Sequence, residues 1–235
     1  MDTAQTRGGS ITGIASMATR ALLEELSEAY EQRSKRRVII ESVGGVTAAR
    51  RVEEGEAFDV VVLATDAIER LAAAGHVVRG SQVELVRSGV AIAVPGNAPQ
   101  PDISTAAAVR EAVLAARTIG YSTGPSGAYL MRLFAHWGIA EIIAPRIMQA
   151  RPGVPVGSLI ARGEVELGFQ QFSELMHVPG IEVVGPLPDE IQLITVFSAA
   201  ICMASKKRAA AEALLDFLVS FEADAAKRSQ GMEPA

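Results

Sequence analysis

Three stretches of this sequence share one layout: an apolar run ends, small or hydroxyl residues follow, and a helical pattern begins. They are Gly13-Ile14-Ala15-Ser16-Met17, Ser42-Val43-Gly44-Gly45-Val46-Thr47 and Ser122-Thr123-Gly124-Pro125-Ser126-Gly127. A helix start leaves backbone N–H groups without partners at its positive end, so such turns can hold an anion without a formal charge. Ser16 is placed as an N-cap, and Gly44, Gly45 and Gly127 let a ligand approach the backbone. Each turn taken alone is also the signature of an ordinary capped helix. A fourth stretch, Gln149-Ala150-Arg151-Pro152-Gly153-Val154-Pro155, offers Arg151 as a bidentate clamp for a carboxylate, with a solvated loop arginine as the plain alternative. The segment after Val165 to Phe169 brings Gln170, Gln171, Ser173 and Glu174, whose amides and hydroxyl could orient a polar ligand. Glu174 and Tyr129 are the candidate proton carriers, although both types are more often simple helix residues.

Other chemistries lack their signatures. No GxxxxGK[ST] phosphate loop occurs, and no GxGxxG follows a strand, so neither nucleotide nor dinucleotide binding is supported. The 22 Lys and Arg residues against 27 Asp and Glu give a net charge of -5, which excludes a nucleic-acid footprint. The single cysteine, Cys202, sits in an apolar run and reads as core, so no internal disulfide or multi-thiolate site can form. His76, His136 and His177 share no metal-ligand spacing and fall near helix ends. No metal and no cofactor is expected. Met1 to Gly9 has no apolar leader region and no window reaches a membrane span, so the sequence as written reads as cytoplasmic, or periplasmic if a leader has been removed.

The elements that must position these turns alternate along the chain. Ser10 to Ala15, Val38 to Val43, Phe58 to Ala64, Val90 to Pro95, Arg117 to Tyr121, Val165 to Phe169 and Leu193 to Ala204 are apolar candidate strands. Met17 to Ser34 places Ala18, Leu22, Leu26 and Tyr30 on one helical face, and Lys206 to Ala226 does the same with Leu214, Leu218 and Phe221. The pattern predicts an α/β fold with mixed, mostly parallel sheets. Val83 to Pro95 and Leu193 to Ala204 are about twice the usual strand length of 5 to 6 residues, as expected of two crossover strands joining two lobes. The boundaries read from this are residues 1–88 and 197–235 for the first lobe and 89–196 for the second, with the ligand in the cleft between them; a single long sheet is the alternative.

From Ser10 to Pro234 the ordered segments resemble the molybdate-binding proteins of the type II periplasmic binding-protein superfamily. The resemblance is carried by Ile14-Ala15-Ser16-Met17, Val46-Thr47-Ala48-Ala49-Arg50 before Glu53-Glu54-Gly55, and Phe58-Asp59-Val60-Val61 ahead of Ala64-Thr65-Asp66. Further along come Ile119-Gly120-Tyr121, Gly127-Ala128-Tyr129, Glu166-Leu167-Gly168-Phe169 and Gly231-Met232-Glu233-Pro234. It implies two α/β lobes and an oxyanion held by uncharged donors. Where that family has a run of serines this chain has Gly44, Gly45 and Val46, and where it has a ligand-contacting tyrosine this chain has Gln171. Each lost hydrogen bond weakens a buried anion by roughly 1 to 3 kcal/mol. The exchange disfavours a metal oxyanion and, with Arg151, suits a larger organic anion with two or three carboxylates.

Aconitate isomerase looks like the same binding-protein fold turned to catalysis by an allylic proton shift on an unsaturated tricarboxylate; the likeness is in fold class only, an analogy of architecture and chemistry with none of its catalytic residues mapped onto this chain. The expectation is therefore a protein that binds a di- or tricarboxylate through Ser16, Met17, Gly44, Gly45, Thr47, Ser126, Gly127, Arg151, Gly153 and Gln171. Glu174 or Tyr129 would carry the proton of an isomerase reaction. The alternative is the solute-binding component of an ABC importer for an oxyanion such as molybdate or for a carboxylate, with an ABC permease as its partner if the protein is exported.

Overall fold

A computed structural model describes residues 9–235. The stretch Met1 to Gly9, read above for a leader, lies outside the described residues except for its last glycine. In chain order the strands are β1 (Ile11–Ser16), β2 (Val38–Val43), β3 (Val60–Ala64), β4 (Val83–Pro95), β5 (Ile119–Tyr121), β6 (Ile147–Gln149), β7 (Leu167–Gln171), β8 (Ile181–Pro186), β9 (Ile194–Ile201) and β10 (Glu233–Pro234). The helices are α1 (Arg20–Ser34), α2 (Gly45–Glu53), α3 (Thr65–Ala73), α4 (Ala106–Ala115), α5 (Pro125–His136), α6 (Ala140–Ile143), α7 (Val156–Ala161), α8 (Phe172–Leu175), α9 (Arg208–Leu218) and α10 (Asp224–Ser229).

The chain forms two compact units, one of residues up to Val86 together with Val196–Ala235, the other of Arg87–Thr195. It leaves the first unit within β4 and returns within β9. In the first unit β1 runs parallel to both β2 and β3, and β9 closes on β3 antiparallel. The alternating side-chain direction of a strand sorts its core. Val60 and Val62 of β3 face Leu22, Leu26, Leu214 and Leu218 of α1 and α9, while Val61 and Leu63 face Ala48, Val52, Ile68 and Leu71 of α2 and α3. A strand apolar on both faces is what a helix-covered parallel sheet requires.

The second unit repeats the scheme. Strand β5 is parallel to β6 and β7, and β4 runs antiparallel to β7 and β8. Ile119, Leu167 and Phe169 pack against Val109, Val113, Leu130 and Phe134, whereas Ala91 and Ala93 on the opposite face meet Val156, Ile160 and Leu175. Two register partners, Gly120 of β5 and Gly168 of β7, sit directly beneath α7. A Cβ on Gly168 would lie 2.4 Å from Ile160 Cδ1 and 2.9 Å from Val156 Cγ1, so the bare backbone lets the helix rest on the sheet.

Two expected details differ. The second half of the Lys206 to Ala226 pattern is not one helix: α9 ends at Leu218, Ser220 is extended, and Phe221 is 88% exposed rather than inward. The extended residue resets the rotation about the axis, so spacing from Leu214 no longer fixes where Phe221 points. Helix α1 is entered through a 3-10 turn, Met17–Thr19, although Ala18, Leu22, Leu26 and Tyr30 are buried as read. Among the described residues no helix is long and apolar enough to cross a membrane.

Candidate functional site

Parallel strands deliver their following turns to one edge. In the first unit Ser16 is in register with Val43, and Ala15 with Val62, so the turns after β1, β2 and β3 emerge together. Open α/β sheets bind ligands outside these carboxyl ends. Ser16 caps its turn by accepting from the Ala18 amide at 3.4 Å, and its carbonyl accepts from Thr19 Oγ1. Gly45 is its neighbour, since a Cβ there would stand 3.8 Å from Ser16 Oγ and meet no closer atom. A methyl there would make only ordinary contacts, with Ser16 Oγ and, at 3.9 Å, with Leu63 Cδ2. Gly44 is the extended residue before α2, Met17 and Thr47 are half-buried, and the Thr47 hydroxyl has no hydrogen bond among the described residues.

Thr65, the first residue of α3, belongs to the same edge and was not singled out as a donor in the sequence. Its hydroxyl contacts Ser198 Oγ at 2.7 Å and donates to the Val196 carbonyl at 3.1 Å. The cue was available, because Thr65 follows the third parallel strand as Ser16 follows the first.

In the second unit the register Tyr121 to Gln149 and Tyr121 to Phe169 likewise aligns the turns after β5, β6 and β7. Ser126 is buried, its hydroxyl 3.2 Å from that of Ser122. Gly127 serves the fold here: a Cβ would lie 1.8 Å from the Ser122 carbonyl oxygen, so it is the chain and not a ligand that approaches it. Arg151 is exposed, and its guanidinium has no partner among the described residues. Gly153 has φ 79 and completes a turn closed by the Val154 amide on the Arg151 carbonyl at 2.9 Å, with Pro152 before it. Proline followed by a left-handed glycine is a type II turn, which assigns Gly153 to shaping the loop that carries Arg151.

Strand β7 is shifted two residues from its expected position, so Gln170 and Gln171 are strand residues, 2% and 3% exposed. Gln171 is turned inward. With its amide oriented to satisfy both ends, the nitrogen donates to the carbonyls of Ser88 and Gly89 and to Ser88 Oγ, and the oxygen accepts from Thr195 Oγ1 at 2.9 Å. It fastens β7 to β4 and β9 and has no donor left for a ligand. Tyr129 is likewise committed, donating its hydroxyl to the Ile191 carbonyl at 2.7 Å, and burial raises its phenol above the ordinary value of 10.

Glu174 remains available. Its side chain keeps some contact with solvent, yet the protein around it desolvates the carboxyl and pushes it up to about 7, while a hydrogen bond from Gln170 pulls the other way. A carboxyl near neutrality can both accept and return a proton. Cys202 is buried, pushed up to about 12 by desolvation and by Asp59, and reads as an inert core thiol. Among the described residues no cluster of His, Cys, Asp or Glu could hold a metal ion.

Residues 11–233 match the family model of the bacterial extracellular solute-binding proteins. The chain belongs to that family. The chain is also similar to an aconitate isomerase of Pseudomonas sp, 36% identical over 231 residues, covering 96% of this chain and 88% of that one. Among solved structures it is similar to the Azotobacter vinelandii periplasmic molybdate-binding protein, with a TM-score of 0.80 at 18% identity over 95% of this chain and 98% of that chain. It is similar as well to the sulfate-binding protein of Mycobacterium tuberculosis H37Rv, TM-score 0.78 at 17% identity, over 97% and 87% of the two chains. The type II periplasmic binding-protein fold is thereby established for this chain.

Proposed function

We propose that this protein binds a small unsaturated di- or tricarboxylate and isomerises it by a proton shift, in the manner of aconitate isomerase. The observation that carries the reading is the 36% identity to an aconitate isomerase over 96% of the chain. In the first unit the hydroxyls of Ser16 and Thr47 and the helix-start amides of Gly45 and Thr65 are carboxylate donors, and in the second unit so is the guanidinium of Arg151. Glu174, ionised, takes a proton from the methylene carbon beside the double bond. The electron pair left behind delocalises toward the former alkene carbon, which receives the same proton back from Glu174. One C–H bond breaks and another forms, the double bond moves, and the composition is unchanged, so no co-reactant is needed. A carboxyl near 7 suits both halves of this cycle, because proton transfer is most effective when the pKa is close to the working pH.

Interconversion of cis- and trans-aconitate, followed by chromatography or ultraviolet absorbance, tests the proposal. Turnover above the buffer rate is expected, and a protein that binds but never converts these acids refutes it. Membership of the solute-binding family favours a second reading, in which the protein delivers the same class of anion to an ABC permease. Tight binding without turnover is its outcome.

A further inference from the structure

Glu174 lies on a helix of four residues, too short to hold a side chain in place through its own rigidity. What fixes it is Gln170, 2% exposed, whose carboxamide is used at both ends. The oxygen accepts from the Val156 amide at 2.7 Å, and the nitrogen donates to Glu174 Oε2 at 2.6 Å. The orientation is forced, because a flipped amide would set N–H against N–H at Val156 and oxygen against oxygen at Glu174. We propose that Gln170 is the positioning residue of the acid–base machinery, holding Oε2 of Glu174 so that the proton in transit is carried on Oε1. Gln170 can only donate toward the carboxyl, so Oε2 stays an acceptor in both protonation states and the exchangeable hydrogen is confined to the other oxygen. One oxygen is the anchor and the other does the chemistry.

Among the described residues no charged group is a resolved influence on the Glu174 carboxyl. Strand β7 and helix α7, which pack against α8, carry no titratable side chain. On β8, Glu182 is exposed and accepts from Gln100, and the flanking Arg151, Arg162 and His177 are exposed. Desolvation and the Gln170 hydrogen bond are the two influences on the Glu174 carboxyl.

The inference rests on the acid–base role proposed for Glu174, but its test does not require turnover. The titration of the Glu174 carboxyl is followed by carbon-13 NMR or difference infrared spectroscopy in the wild type, in Gln170→Met and in Gln170→Glu, with Glu174→Gln assigning the signal. Gln170→Met removes the donor at similar volume, and the midpoint rises by about one pH unit because the charged form loses its hydrogen bond. Gln170→Glu keeps an acceptor for the Val156 amide and sets a second carboxyl beside the first, so the pair shares one proton and titrates in two separated steps. In the aconitate assay Gln170→Met lowers kcat tenfold or more with KM little changed. An unmoved midpoint in whichever variant folds overturns the positioning role. A midpoint that moves in a protein converting no unsaturated acid upholds it and removes the isomerase reading instead.

Discussion

Glu174→Gln separates a working carboxyl from a merely buried one. Displacement from 4.5 to about 7 means that ionising this group costs the folded protein about 3 kcal/mol at about 1.4 kcal/mol per pH unit, an upper figure because the side chain keeps some solvent contact. The folded value lies above the unfolded one, so the cost is absent below about pH 4.5, grows through the interval, and is complete above about 7. Glutamine never ionises, and its oxygen still accepts from Gln170. The variant therefore matches the wild type near pH 4.5 and exceeds it at pH 8, by about 6 °C in Tm for a chain of this length. Differential scanning calorimetry across that range measures the divergence. Over the same interval aconitate turnover falls by about 10² to 10⁴ as the proton carrier is lost. A Tm difference that stays constant from pH 4.5 to 8 refutes the reasoning, since the carboxyl would then titrate alike in the folded and unfolded chain.

Arg151→Ala raises the Kd for a tricarboxylate by about 10- to 100-fold in calorimetric titration. Its ligand-free Tm is unchanged, because the exposed guanidinium has no partner to lose among the described residues. Asp59 is buried; desolvation pushes its carboxyl up, but hydrogen bonds from the Thr12 amide, Ser205 and Lys207 outweigh that and hold it below the usual carboxylate range. Asp59→Asn costs about 3 kcal/mol in urea unfolding at neutral pH. The contribution of Asp59 is complete above its unfolded value of about 3.9 and is lost as the pH falls through the lower folded one, so wild type and variant converge in acid. Gly127→Ala puts a methyl 1.8 Å from the Ser122 carbonyl and lowers urea stability by about 3 kcal/mol, whereas Gly45→Ala, with 3.8 Å to its nearest neighbour, folds normally.

Strands and helices were legible where burial followed a simple period. Val38 to Val43 and Val83 to Pro95 were read to their observed ends, because apolar runs bounded by polar turns leave little choice. Strand β7 runs two residues beyond the apolar segment that ends at Phe169, where the polarity of Gln170 and Gln171 alone predicts exposure. Both are buried because each amide finds partners at its two ends, which no one-dimensional pattern reveals. Gln171 and Tyr129 offer polar groups that the sequence alone assigns to a ligand contact and a proton transfer, and in the fold these groups meet Ser88, Gly89 and Thr195 and the Ile191 carbonyl, all set by packing. Glu174 was visible as an acid after a strand, but its displaced titration depends on the helix and strand packed around it. Thr65 was passed over for lack of a glycine or serine run to advertise it, although strand order alone places it on the same edge as Ser16.

The two glycines under α7 set how closely the helix that anchors Gln170, and through it Glu174, can approach the sheet. Any side chain at position 168 would lever α7 away from the strands and carry the Val156 amide beyond reach of Gln170, loosening Glu174 without touching it. Helix-to-sheet clearance thus becomes a chemical variable in this fold.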